Sequence, residues 1–161
     1  MRKVLSTIWL LFIVPSVALA QDKTESRGQG YVFAAPGGTA PSGTATLHFG
    51  GGGEGFIYKG LAAGGELGYL AAARDLGTLG VGVLSANGSY HFQPKQKLDP
   101  FVTAGYSLFF REGTANFFNF GGGANYWMRD GMALRLEFRD HVNTGYGTIH
   151  HLGFRVGLTF R

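Results

Sequence analysis

The 161-residue chain contains no cysteine. That rules out a small domain stapled by disulfides, and it rules out lipid attachment at an N-terminal cysteine. Nor does glycine follow a Gly-X-Y period, so collagen-like assembly is excluded. Charge is also scarce. The formal net charge is +4, and it falls to about +2 once Arg2 and Lys3 are set aside, too little to argue for a nucleic-acid partner. Beyond the first twenty residues no helical hydrophobic period appears. What remains is 28 glycines and an aromatic content of 14%, distributed in alternating runs. Glycine beside aromatics in such runs points to a β-protein with close backbone approaches.

The N-terminus reads as a removable address. Arg2 and Lys3 form a positive segment, "VLSTIWLLFIVPSV" is an apolar run broken by Pro15, and Ala18 to Ala20 offer a small-x-small cleavage site. The apolar run is shorter than the roughly 20 residues of a spanning helix, which disfavours a transmembrane anchor. Residues 1–20 are therefore expected to be a signal peptide, 21–27 ("QDKTESR") a flexible leader, and 28–161 the folded domain.

From residue 28 onward eight alternating runs follow, at about 28–36, 44–57, 61–73, 80–93, 100–111, 116–128, 132–143 and 148–161. The breaks are "PGGTAPSG", "YKG", "RDLGTLG", "PKQKLD", "EGTA", "RDG" and "NTGYG". Most carry the Gly, Pro, Asn or Asp that turns require. All are short enough for antiparallel hairpins, so an up-and-down meander is predicted. "YKG", "PKQKLD" and "RDG" are compact and mostly charged. The other four are richer in Gly, Thr and Ser and slightly longer, the pattern of periplasmic turns against outer loops.

Run 132–143 shows the two faces clearly. Met132, Leu134, Leu136 and Phe138 share one face; Ala133, Arg135, Glu137, Arg139 and His141 share the other. In the last run Leu152, Phe154, Val156, Leu158 and Phe160 oppose His151, Gly153, Arg155, Gly157 and Thr159. The polar face is also the glycine-rich one, with Gly50, Gly52, Gly64, Gly68, Gly121, Gly123, Gly153 and Gly157. An eight-stranded barrel has an interior that side chains just fill, so small residues suit its inside and bulky apolar ones its outside. Runs of about 12 residues exceed the globular norm of 5–6 and suit a tilted bilayer crossing. Closure satisfies the backbone that lipid cannot. The fold class predicted is all-β: an eight-stranded antiparallel up-and-down transmembrane β-barrel.

On this reading the lumen receives Glu54, Glu66 and Glu137 together with Arg135, Arg139 and Arg155. Three carboxylates against three guanidiniums can pair and plug it. Asp140 follows Phe138 on the lipid-facing parity, where a carboxylate is costly, so the outer edge of the bilayer is expected between them. Aromatics near strand ends (Tyr58, Tyr90, Phe92, Phe101, Tyr126 and Phe160 at one end, Phe109, Phe110, Phe117 and Phe118 at the other) are expected to form two interfacial belts. The direction of Trp127, beside a turn, is left open.

These features resemble the small OmpA/OmpX-like outer-membrane β-barrel families. The likeness rests on the signal peptide, the run "NFGGGANYW" (Asn119 to Trp127), the strand "LRLEFRD" and the ending "FRVGLTF". The resemblance implies localisation in the outer membrane of a Gram-negative cell, contact with its lipid, monomeric behaviour and a structural, surface-interaction or narrow porin-like role. It further implies that Phe154, Val156, Leu158 and Phe160 form a C-terminal signal for the barrel-assembly machinery. Arg161 departs from that pattern, which usually ends on the aromatic. A peptidoglycan-binding domain like that of larger OmpA-like proteins is not expected.

Chemistry-bearing motifs are weak. "GGGGEG" formally fits G-x-G-x-x-G, but no helix follows it, and a bent or closely packed strand explains it. His150 and His151 are adjacent and point opposite ways. His48, His91 and His151 share a face without metal-ligand spacing, so neither a metal nor another cofactor is expected. Lipid A deacylases, also eight-stranded, carry a His-x-Ser motif; His141 and His151 both lack that serine, and Ser89-Tyr90-His91 has no acid tied to it by motif. No catalytic set is identified and no enzymatic activity is expected. Two alternatives stand: a soluble exported barrel binding a small apolar ligand, and an outer-membrane lipid-modifying enzyme. Outer connections this short offer little surface for a specific adhesin.

Overall fold

The computed structural model describes residues 28–77, 80–145 and 147–161; the expected signal peptide and leader lie outside these. Eight strands follow in chain order: β1 (Gly28–Ala40), β2 (Ala45–Tyr58), β3 (Leu61–Ala72), β4 (Val81–His91), β5 (Leu98–Phe110), β6 (Thr114–Arg129), β7 (Met132–Asn143) and β8 (Ile149–Phe160). Each pairs antiparallel with its sequence neighbour, and β1 pairs with β8 to close the barrel. The predicted up-and-down meander is the observed topology. The two-residue β2–β3 and β6–β7 turns, the β4–β5 connection (92–97) and both ends of the barrel chain lie at one end, the short-turn end; the four connections at the other are longer on average, although β1–β2 (41–44) and β5–β6 (111–113) are shorter than β4–β5.

The boundaries depart from the sequence reading in instructive places. "PGGTAPSG" is not a break throughout, because β1 runs on to Ala40 and only residues 41–44 turn. Pro36 sits within the strand opposite Leu47, and its side chain faces outward. Toward β8 the register passes from Ala34↔Val156 to Gly37↔Gly153. Proline has no N–H to donate there, so the ladder skips that position. Gly37 allows the backbones to close up again: a Cβ there would lie 2.2 Å from the Leu152 carbonyl oxygen. β5 begins at Leu98 rather than 100, which places Asp99 in the barrel wall. In the β2–β3 turn, Lys59 (φ 38°) and Gly60 (φ 87°) both have positive φ, as a two-residue type I′ hairpin turn requires.

The barrel is polar inside and apolar outside. Among the described residues, buried polar side chains outnumber buried apolar ones, while Leu84, Val102, Phe120, Leu136, Phe138 and Phe154 are exposed on the outer face. Phe138 is 51% exposed and Arg139, its neighbour, 1%. That one-residue step is the strand alternation itself, turned inside out relative to a water-soluble barrel.

Candidate functional site

The site is the filled lumen, which is best described as three layers. The central layer holds the six charges assigned to the lumen by strand parity. Arg135, Glu137 and Arg139 all descend from β7, with Arg155 beside them on β8. Glu66 comes from β3, four strands from β7 in either direction round the barrel, and Glu54 from β2, three strands from β7 through β8 and β1. The carboxylates therefore reach across the lumen. Glu54 Oε1 accepts from Arg135 Nη1 at 3.3 Å, and Arg135 Nε donates to Glu137 Oε2 at 3.0 Å. Arg139 Nη2 lies 2.5 Å from Glu137 Oε1, and its Nη1 reaches Glu66 Oε2 at 3.5 Å. Arg155 Nη1 completes the chain to Glu66 at 2.7 Å. All six residues form one continuous network.

Glycine makes room for it. Glu137 pairs with Gly123, Arg139 with Gly121 and Gly153, Arg135 with Gly157, Glu66 with Gly52 and Glu54 with Gly64. A Cβ on Gly123 would stand 2.0 Å from the Leu136 carbonyl oxygen and 3.0 Å from Glu137 Cβ. The long side chains thus lie over bare backbone.

Aromatic rings complete the packing. The Arg135 guanidinium carbon lies 4.3 Å from the Tyr31 ring centroid and 4.1 Å from that of Phe101, and Arg155 lies 4.2 Å over Phe33. Such contacts hold a guanidinium by its flat faces while its edges stay free for carboxylates. Tyr31 also donates its hydroxyl to Glu66 Oε2 at 3.2 Å.

Toward the short-turn end lies a second layer. His91 Nδ1 meets Asp99 Oδ2 at 2.6 Å, and its Nε2 lies 3.4 Å from Glu54 Oε1, so one imidazole serves two carboxylates. Gln29 Nε2 donates to Glu54 at 2.7 Å, and Ser89 Oγ donates to its other oxygen. Phe101 stacks on His91 at 5.2 Å. Trp127 is buried beneath and points inward.

The third layer, toward the longer connections, is different in kind. His48, His141 and His151 come together with ring centroids 5.7–6.4 Å apart. Phe109 and Phe117, stacked at 4.2 Å, cover them together with Leu70 and Val83. His151 Nε2 bonds Thr46 Oγ1 at 2.9 Å. His48 Nε2, both nitrogens of His141 and His151 Nδ1 have no hydrogen-bond partner among the described residues. Among the described residues no three His, Cys, Asp or Glu side chains are arranged to hold a metal ion.

Several expectations need correction. Phe101, Phe109 and Phe117 are not belt residues. Each lies on the inward parity of its strand and is buried, while Phe110, Phe118, Tyr58, Tyr90, Phe92, Tyr126 and Phe160 face outward. His48, His91 and His151 do share the lumen face, but at different heights: His141 lies beside His48 and His151, and His91 lies toward the other end, because height along the barrel follows register as well as parity. Asp140 does take the outward parity, but its Oδ2 meets His150 Nδ1 at 2.7 Å, and it is shielded. Its charge thus has a partner on the same face. Residues 154, 156, 158 and 160 all turn outward along β8. Sequence reasoning missed Asp99, Tyr31, Phe33 and Phe101 as lumen residues. Alternation from Thr103 would have found Asp99 and Phe101.

No protein-family model and no curated protein matches the chain. Solved structures do. Neisserial surface protein A aligns at TM-score 0.65 and 13% identity over 84% of this chain and 97% of that one. The N-terminal β-barrel domain of Pseudomonas aeruginosa OprF aligns at TM-score 0.58 and 16% identity over 82% and 97%. The Pseudomonas aeruginosa outer membrane protein OprG aligns at TM-score 0.54 and 10% identity over 84% and 95%. With the closed eight-strand meander and its inverted faces already described, these likenesses fix the architecture: the chain has the fold of the small eight-stranded outer-membrane β-barrels.

Proposed function

We propose that the protein is an outer-membrane barrel whose lumen is closed by the layered network, and that it works as a structural or surface-interaction element rather than as an open pore. The observation that carries this reading is the charge chain running from β2 to β8 across the full width of the lumen. Buried ion pairs in such a chain hold each other in place, and removal of one partner strands the rest. The outward turn of Leu136 and Phe138 counts against a soluble barrel built around an apolar ligand, since that reading needs those side chains inside. No catalytic role is proposed. Phe154, Val156, Leu158 and Phe160 are proposed to be read by the barrel-assembly machinery, being aligned on one face of the final strand.

Membrane fractionation with a heat-modifiable gel shift tests the location. Planar-bilayer recording then tests closure. The expected result is an outer-membrane protein with negligible conductance that acquires measurable conductance on Glu66→Leu. Steady conductance of the unaltered barrel would overturn the closed-lumen reading.

A further inference from the structure

The positive charge of the barrel is unevenly placed. The longer connections carry Arg74, Asp75, Arg111 and Glu112, two of each sign. The short-turn end carries Lys59, Lys95, Lys97, Arg129 and Arg161 against Asp130. Four of these cations line a cavity of about 340 Å³ between the β4–β5 connection, the β6–β7 turn and Arg161. Even with Lys95 left out and Asp130 subtracted, Lys97, Arg129 and Arg161 leave the lining a positive excess.

Arg161 is anchored at the rim. Its backbone N–H donates to Gly131 at 3.2 Å, its Nε to the Asp130 carbonyl at 3.2 Å and its Nη1 to the Pro94 carbonyl at 3.0 Å. Its guanidinium carbon lies 3.7 Å over the Trp127 ring. Neutral carbonyls orient the group without cancelling its charge. Lys97 is likewise set over an aromatic, with Nζ 5.2 Å from the Tyr126 centroid. Trp127, 5% exposed, lines the same cavity with its ring, and its Nε1 is buried without a hydrogen-bond partner among the described residues. A register shift between Trp127 and Arg129 carries the wall across the rim here. Trp127 faces in, while Met128 lines the cavity yet is exposed on the outside.

A basic floor with an apolar lip matches the chemistry of a phosphodiester carrying acyl chains. We propose that this cup binds the phosphate of an anionic phospholipid in the adjacent leaflet, with the chains running up past Met128 and Tyr126. The choice of a lipid as the source rests on the membrane reading above; the phosphate chemistry does not.

The test uses the folded full chain in neutral detergent. Inorganic phosphate is titrated by ³¹P line broadening, and native mass spectrometry after reconstitution compares retention of phosphatidylglycerol and phosphatidylcholine. Saturable phosphate broadening with selective retention of phosphatidylglycerol is the expected result. Arg161→Gln should weaken both by about tenfold, the scale of one charge-assisted hydrogen bond. Trp127→Phe, which keeps an aromatic ring beneath Arg161, should weaken them less. Lys97→Gln serves as a second variant should Arg161→Gln fail to fold by gel shift. Phosphate binding without lipid selectivity would overturn the lipid as the source. No phosphate binding and equal retention of both lipids, in a barrel that inserts normally, would overturn the cup and leave the membrane reading intact. Phosphate binding by a barrel that does not insert would do the reverse.

Discussion

The central and outer layers of the lumen lie two residues apart along β7, at Arg139 and His141, yet they solve burial in opposite ways. In the centre, every guanidinium faces at least one carboxylate, and rings press on two of the three. In the outer layer, three imidazoles sit beneath a phenylalanine stack with most of their nitrogens unmet by protein. A permanent charge cannot be left alone in such a place, whereas a neutral imidazole can. The difference teaches where the barrel is specified: the central layer fixes which strands oppose which, and the outer layer fills space.

The substitution expected to cost most is Glu66→Leu, which removes the acceptor shared by Arg139 and Arg155. About 3–5 kcal/mol of stability should be lost, read as a lower urea midpoint for the heat-modifiable form. Next is Leu136→Arg, which puts a charge on the lipid side between two residues whose charges belong inside. A loss of about 2–4 kcal/mol is expected in bilayers; an unchanged midpoint would mean that the outer face does not meet hydrocarbon. Gly123→Ala forces a methyl against the Leu136 carbonyl oxygen and should cost about 1–3 kcal/mol by overpacking. Smallest is His141→Phe. It replaces a ring whose nitrogens have no hydrogen-bond partner among the described residues by an apolar one, so stability should hold within about 1 kcal/mol or rise. A drop on His141→Phe as large as that on Glu66→Leu would erase the contrast between the layers.

Much of this was legible in the sequence, because strand alternation has a period of two and does not drift. "LRLEFR" alone sorts Arg135, Glu137 and Arg139 to one side and Leu134, Leu136 and Phe138 to the other. Parity also put Glu54, Glu66 and Arg155 in the lumen. What it could not supply was height. Which glutamate meets which arginine depends on how the closed sheet is staggered, a property of all eight strands together. For the same reason parity places His91 on the lumen face with His48 and His151 without showing that it lies toward the opposite end. Two other errors came from giving composition priority over pattern. Phe101, Phe109 and Phe117 were assigned to interfacial belts for being aromatic near strand ends, against their own parity. Pro36 and its glycines were read as a turn, although an outward proline is tolerated where the ladder can skip one donor. Asp99 falls within the charged connection "PKQKLD", which in the structure ends two residues earlier.

The crossing of the charge chain from β3 to β7 has a kinetic consequence. No hairpin, and no run of three or four neighbouring strands, contains a balanced set of partners: Arg135, Glu137, Arg139 and Arg155 belong to the last two strands, Glu54 and Glu66 to the second and third. A half-formed sheet would present unmatched guanidiniums and carboxylates to hydrocarbon, together with an open edge. Partial insertion is therefore penalised twice, and the contacts that relieve it are among the most distant in the chain. Assembly should be slow and cooperative, with no stable half-barrel, and the barrel should come apart as a single unit.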